Sequence, residues 1–372
     1  MIKKYKKSKE PMMRRSSRVF LNDLNIGKAQ VLTDFLHLGH DVTQYFVDLF
    51  WQRQDMTAKL ADLGTVHRAC DRFGITTRLS QALAKQSKEI VRGMHELGGG
   101  YPEVKNHVLT LYSHFVEIEP FRGNEFDWAV KFIGSGAPRM IVPCQSTIHL
   151  NKKLSEGWKM SKTIRLGRNR RGRLFVDFIL EKPRPPKKES GAIVGMDNNY
   201  KAGLVFSDGQ IVGSHAYDRI QTFPKRQENT HEEVKSLVGQ TLKEIECESI
   251  KVLSIEDLKA VKNNKRGTFS RVMNRRLSHW AYALIRQRLE QGCEEHGVRL
   301  VVKNPAYTSQ TCSVCGWCDR SNRRGDKFVC GRCGHEDNSD HNAAMNLERL
   351  AVAGVYGLRS LPNFTRVAKA TV

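Results

Sequence analysis

The sequence predicts a multidomain protein, α+β in its first half and α/β in its second, with a metal-binding ribbon set into the latter. Three observations carry this. The hydrophobic period changes from helical to alternating near residue 101 and then to short apolar strands that end in single acids after residue 188. A stiff PRPPKK segment, Pro183 to Lys188, separates the last two regimes. Two Cys-x-x-Cys pairs lie close together between Tyr307 and Leu347. With 372 residues and 40% hydrophobic content, the chain is long enough for several cores.

In chain order, residues 1–24 form a basic arm leading into a strand-like run, Arg18 to Leu21. Residues 25–100 turn helical: Leu32, Phe35, Leu38, Val42, Tyr45, Phe46 and Leu49 fall at three- and four-residue steps. A second stripe, Leu79, Leu83, Ile90, Val91 and Met94, follows Thr77 as a candidate cap, and Gly98 to Gly100 ends it. Residues 101–188 read as short strands over 114–119, 126–133, 140–148, 162–168 and 173–181, an antiparallel barrel or sandwich. Its second half is strongly basic, with Lys162, Arg165, Arg168, Arg170, Arg171 and Arg173 placed to project from strands and a hairpin turn. Such charge is a solvated face by default; with this chain's overall charge, a nucleic-acid surface is favoured.

Beyond the linker, 189–311 supplies Ala192 to Asp197, an apolar strand delivering a carboxylate, then a hairpin turning at Asp208. Ile250 to Glu256 is a second apolar strand ending in an acid, followed by a basic run with Lys262, Lys265, Arg266 and Arg275, a helix over about 277–296, and a strand over 298–303. The ribbon occupies 312–334. Cys312 and Cys315 pair with Cys330 and Cys333 across fourteen residues, a spacing that aims four thiolates at one tetrahedral zinc. Cys318 has no partner at matching spacing and is left out. In 335–372, Asp340 opens a helix; an acid there is often only a cap.

Two strands and one helix thus each present one acid at what would be one edge of a sheet. Ionised Asp197, Glu256 and Asp340 repel one another unless cations sit between them. Two Mg²⁺ ions suit the oxygen donors, and would take phosphate oxygens in their remaining positions.

Net charge is +22, from 61 Lys and Arg against 39 Asp and Glu. The partner of such a surface is a polyanion, since each neutralised phosphate releases counterions. No apolar run reaches the ~20 residues of a membrane span, and the N-terminus lacks a signal-peptide apolar core. A soluble cytoplasmic protein with no membrane partner is expected; the oligomeric state is not legible.

The VGMD of the first strand, SIEDL of the second, the TSQTCSVCG ribbon and DHNAAMNL together resemble the TnpB transposon-encoded proteins and the compact type V CRISPR effectors. The resemblance is specific from Gly191 to about Leu350. It implies a RuvC-type, RNase H-like catalytic domain with an inserted zinc ribbon, and an N-terminal wedge barrel (1–24 and 101–188) interrupted by a helical recognition lobe (25–100). It further implies prokaryotic, RNA-guided cleavage of double-stranded DNA beside a short adjacent motif, with guide RNA as cofactor and action at the nucleoid. Matching motifs make Asp197, Glu256 and Asp340 catalytic and the four cysteines zinc ligands. One departure stands out: members commonly have glycine two residues after the first acid, where this chain has Asn199. Two other functions stay open, an RNA-guided repressor without cleavage and a protein-only RuvC-like nuclease or transposase.

Overall fold

The computed structural model describes residues 11–57, 59–121, 125–199, 202–215, 218–219, 230–257 and 282–366. The chain divides into two compact units, Met1–Pro183 and Arg184–Val372.

The first unit opens on β1 (Met12–Phe20) and then inserts three helices, α1 (Ile26–Gln52), α2 (Leu63–Phe73) and α3 (Thr77–Glu96). Each helix starts where a polar side chain accepts from a backbone N–H three residues on: Asn25 from Lys28, Asp62 from Thr65 and Thr76 from Leu79. The cap of α3 is therefore Thr76, one residue before the expected Thr77. The stripe of α1 is buried at Leu32, Phe35, Val42 and Phe46, while Leu38, Tyr45 and Leu49 pack at its margin. Gly39 is needed in α1 because Leu109 presses against it; an added Cβ would stand 2.5 Å from the Leu109 side chain.

Strands β2 (Val108–Leu111), β3 (Val116–Pro120), β4 (Trp128–Ile133) and β5 (Arg139–Cys144) follow, then α4 (Ile148–Ser155), β6 (Lys159–Arg168) and β7 (Leu174–Pro183). They form two antiparallel sheets, one ordered β1-β7-β6-β2 and one ordered β3-β4-β5. β1 thus pairs with β7 across more than 150 residues of sequence, Met12 opposite Pro183 and Phe20 opposite Phe175. The run 140–148 is not all strand, because Thr147 caps Leu150 N and starts α4. β2 and α4 escape sequence reading, being four and eight residues long with few periodic positions.

The second unit carries one mixed sheet ordered β10-β9-β8-β11-β12. Its strands are β8 (Ala192–Asn199), β9 (Gly203–Phe206), β10 (Ile211–Val212), β11 (Ile250–Glu256) and β12 (Arg299–Lys303). β8, β11 and β12 run parallel, so their C-terminal ends share one edge; β9 and β10 are added antiparallel by hairpins. Helices α5 (Thr230–Thr241) and α6 (Tyr282–Glu295) lie in this unit, and Val234, Val238, Ile285 and Leu289 join its core with Val194, Met196, Leu253 and Ile255. After β12 come β13 (Trp317–Cys318), the small sheet β14 (Arg323–Arg324), β15 (Lys327–Val329) and β16 (Glu336–Asn338), helix α7 (Ser339–Val352) and β17 (Thr365–Arg366), which pairs with β13. No described helix is long and apolar enough to cross a membrane.

Candidate functional site

The site is assembled at the C-terminal edge of β8 and β11. Asp197 sits near the end of β8 and Glu256 ends β11. The third acid arrives on α7, which lies directly on β8: a Cβ at Gly195 would come within 1.9 Å of the Ala344 carbonyl oxygen. Only glycine permits that approach. Ser254 Oγ adds a hydrogen bond of 2.7 Å to Leu347 O, tying β11 to the same helix. Asp340 thereby comes within electrostatic reach of Asp197 and Glu256.

Asp340 is not the cap of its helix. Asn338 takes that role, its side chain accepting from Asp340 N at 2.8 Å and His341 N at 3.3 Å. The Asp340 carboxylate is left for other partners: Asn199 Nδ2 donates to Oδ2 at 2.5 Å, and Arg323 Nη2 stands 3.5 Å from Oδ1. Glu256 Oε1 accepts from Thr308 Oγ1 at 2.7 Å. Of these supporting residues, Asn199 had a signal in the sequence as a departure from the resemblance. Thr308 and Arg323 had none, because their partners are 52 and 17 residues away.

Burial, then Glu256, then Asp340 push the Asp197 carboxyl well above its ordinary range, against a smaller pull from Arg323. Burial raises Glu256 to about 7 despite the Thr308 hydroxyl and Arg323. Three acids brought together at one sheet edge, with Arg323 beside them, supply the oxygen donors that hard cations take. The three carboxylates do not close on a single point: among the described residues the one group of His, Cys, Asp or Glu ligand atoms lying mutually within 4.8 Å is the four cysteines.

Those cysteines form the second candidate centre. Cys312 and Cys333 Sγ are 3.7 Å apart, and Cys315 and Cys330 Sγ 3.6 Å. Tetrahedral zinc with sulfur at ~2.3 Å requires sulfur pairs about 3.8 Å apart, so the set fits zinc. Cys318 is buried outside it, in β13. The His335 N–H lowers the Cys333 thiol to about 7, while burial pushes Cys312 up to about 12. Side chains of α7 bind the ribbon to the site: Asn342 accepts from Ser313 N and donates to Thr311 O, and Asn346 donates to Thr308 O and Thr311 O. The helix carrying Asp340 thus also holds the first knuckle and the Thr308 that grips Glu256.

The basic sheet of the first unit is partly self-compensated. Asp177 is buried and receives Arg18 at 2.7 and 3.0 Å, with Arg165 at 3.6 Å. Arg173 stacks on Phe20 and donates to Asn22 at 3.0 Å. Lys162 is exposed on β6, and Arg170 and Arg171 are exposed at the turn into β7, with Arg168 half-buried before it. Lys262, Lys265, Arg266 and Arg275 lie outside the described residues, as does the basic arm over 1–10.

Residues 282–347 match the family model for the Cas12f1-like TNB domain. Over 131 residues the chain is 34% identical to a CRISPR-associated endodeoxyribonuclease Cas12f1 of Sulfoacidibacillus thermotolerans, covering 35% of this chain and 28% of that one. It is 34% identical over 98 residues to a TnpB-like protein of Aquifex aeolicus, 26% of this chain and 31% of the relative. The chain is a relative of TnpB and the compact type V effectors. Its alignments span about a third or less of these relatives. A solved Cas12f1–sgRNA–target DNA complex has the same fold over 86% of this chain and 82% of that chain, with TM-score 0.52 and 13% identity.

Proposed function

We propose that this relative of TnpB is an RNA-guided DNA endonuclease that hydrolyses phosphodiester bonds at a RuvC-type, RNase H-like site formed by Asp197, Glu256 and Asp340. The observation that supports it most is the convergence of these three acids, from two parallel strands and one helix, with Arg323 beside them. Carboxylates spread beyond a single-ion set suit a pair of Mg²⁺ ions. When bound, such a pair activates water and stabilises the leaving oxygen of a phosphodiester. The chain's own residues then have separate tasks. Asp197, on the central strand β8, lies within electrostatic reach of both other acids and would hold the ions together with them. Thr308 fixes one oxygen of Glu256, and Asn199 fixes one of Asp340, which sets the direction of each carboxylate. Asp197 and Asp340 are buried and Glu256 is half-buried.

Cys312, Cys315, Cys330 and Cys333 hold one structural zinc, whose four sulfurs leave no open position. In the first unit the reading makes residues 1–24 and 101–188 a wedge barrel and 25–100 a recognition lobe. Lys162, Arg168, Arg170 and Arg171 then contact guide RNA. Arg165 and Arg173 serve the sheet as well, given their bonds to Asp177 and Asn22. The likeness to an endodeoxyribonuclease, and to a Cas12f1 solved with sgRNA and target DNA, favours the same reading over the protein-only nuclease. The presence of all three acids favours it over the repressor. Action in the prokaryotic cytoplasm at the nucleoid follows from the substrate.

The test is to sequence the RNA that co-purifies with the chain, and to challenge the complex with DNA matching its guide segment in Mg²⁺. Cutting that disappears in each of Asp197→Ala, Glu256→Ala and Asp340→Ala while DNA binding persists is the expected result. Cutting that survives digestion of the RNA would favour the protein-only nuclease. Guided binding without cutting by the wild type would favour the repressor.

A further inference from the structure

The loop between β12 and the first knuckle contains a feature that the acids do not use. Tyr307 has φ of +73°, the left-handed region that a bulky residue occupies only where its surroundings impose it. Its phenol oxygen accepts two guanidinium hydrogen bonds, from Arg359 Nη2 and Arg366 Nη1, at 2.8 Å each. The same guanidiniums stand 5.2 and 4.5 Å from the centre of the Tyr307 ring. Both arginines are exposed, and among the described residues neither has a carboxylate partner.

Two like charges gathered on one neutral oxygen repel each other, and a phenol neutralises neither. Each guanidinium has five N–H donors, and the contact with Tyr307 uses one of each. The remaining forks match the oxygens of a phosphate, which also supplies the missing charge. Holding the C-terminal segment in place does not require them. β17 already pairs with β13, Thr365 N donates to Gly316 O at 3.1 Å, and Arg349 binds Asn363 at 3.0 Å. Position identifies the source of the phosphate. The next residue, Thr308, grips Glu256, so an anion held at Tyr307 is fixed relative to the acids. A strand lying there is the one to be cut, and the guide has to be kept away from it.

We propose that Tyr307, Arg359 and Arg366 form a binding site for one backbone phosphate of the DNA strand that is cleaved at the acid cluster. The proposal rests on the nuclease reading only for which strand is bound; the phosphate site itself is tested without catalysis.

The experiment uses the full chain with its co-purified RNA, carrying Asp197→Ala to prevent cutting. Binding of a fluorescein-labelled single-stranded oligodeoxynucleotide is followed by anisotropy over a series of salt concentrations. The Arg359→Gln/Arg366→Gln pair is expected to bind about tenfold more weakly and to flatten the salt slope by about 0.7, the value for one lost phosphate contact on a single strand. The Arg359→Lys/Arg366→Lys pair keeps the charge and is expected to keep the slope. If the Gln pair does not fold, Arg366→Gln alone is read in the same way. An unchanged slope in the Gln pair would overturn the proposal. So would a Lys pair that folds yet binds as poorly as the Gln pair, since the guanidiniums would then serve Tyr307 alone. A loss confined to RNA retention would assign the site to the guide. Inorganic phosphate that protects the wild type but not the Gln pair from thermal unfolding, with equal oligonucleotide binding by both, would make it a free-anion site; either result overturns the DNA assignment. Failure of the wild type to cut DNA would defeat the nuclease reading and leave this binding result intact.

Discussion

Asn199 donates its side-chain amide to Asp340 at 2.5 Å, across 141 residues of sequence. The residue stands where the resemblance leads one to expect glycine, and the hydrogen bond gives the side chain a purpose: it orients an acid of the site. A hydrogen bond to a charged group contributes ~1.5–3 kcal/mol. Asn199→Gly and Asn199→Ala are therefore expected to slow cleavage by about tenfold or more, and to raise the Mg²⁺ concentration giving half-maximal rate. The Mg²⁺ dependence is the deciding measurement, because a purely structural role would lower stability without moving it.

The acids make the stability of the folded chain depend on pH and on cations together. Glu256 is raised from 4.5 to about 7 when no cation is present. Between those values the folded protein keeps a proton that the unfolded chain has released, so stability falls as pH rises through that window. A bound cation removes the penalty, and binding it displaces the proton. Mg²⁺ should therefore raise the unfolding temperature clearly near pH 8 and little near pH ~5.5. Equal shifts at both pH values would mean that Mg²⁺ binds elsewhere. Glu256→Gln should reduce the difference, leaving the part due to Asp197.

Gly195→Ala tests the seating of α7. The new methyl would stand 1.9 Å from the Ala344 carbonyl oxygen and 2.6 Å from Glu348 N, both backbone atoms that cannot turn aside. The helix must lift from β8, taking Asp340 with it. Overpacking of this kind costs ~1–3 kcal/mol or more, so a fall of several degrees in unfolding temperature is expected, with cleavage lost beyond what stability explains. Unchanged cleavage in this variant would show that α7 tolerates displacement.

How much of this was legible in the sequence follows from where the information lies. The strands delivering Asp197 and Glu256 were legible because an apolar run that meets an acid is a local pattern; β11 has the expected bounds, Ile250–Glu256, while β8 runs two residues past Asp197 to Asn199. The four cysteines were legible through spacing, and the structure brings their sulfurs together. β2 was missed because Val108–Leu111 is too short for periodicity, and its place is set by pairing with β6. Thr308, Arg323 and the Tyr307 cluster were invisible because each acts through a partner brought near only by folding. Arg165 read as a projecting cation, yet the buried Asp177 that it meets lies on the neighbouring strand.

The exposed turn between β6 and β7 should carry the guide-RNA contact of the first unit. Arg170→Ala/Arg171→Ala is expected to weaken RNA retention and its salt dependence, with little change in unfolding temperature because both residues lie at the surface. Arg165→Ala is expected to destabilise instead, since it strips one of two guanidiniums from buried Asp177. A reversed pattern, stability lost at the turn and RNA lost at Arg165, would place the interface on the sheet face.

The ribbon and the acid site should fail together when zinc is removed. One zinc per chain is expected by metal analysis, and its loss frees the first knuckle, whose backbone is held by Asn342 and Asn346 of α7. Asn346 also donates to Thr308 O, and Thr308 grips Glu256, so disorder in the knuckle reaches one of the three acids through two hydrogen bonds. Cys333 is the exposed ligand, its thiol lowered to about 7 by the His335 N–H, which makes Cys333→Ser the mildest way to weaken the centre. That variant should bind zinc less tightly and, once stripped with a zinc-selective chelator, lose cleavage in Mg²⁺ while its first unit still retains RNA. Thr308→Val should reproduce the loss of cleavage with zinc fully bound, because it breaks the same chain one step later. Full activity in stripped Cys333→Ser would show that the ribbon does not support the acids. Full activity in Thr308→Val with impaired activity in stripped protein would mean that the support runs through α7 to Asp340 and bypasses Glu256.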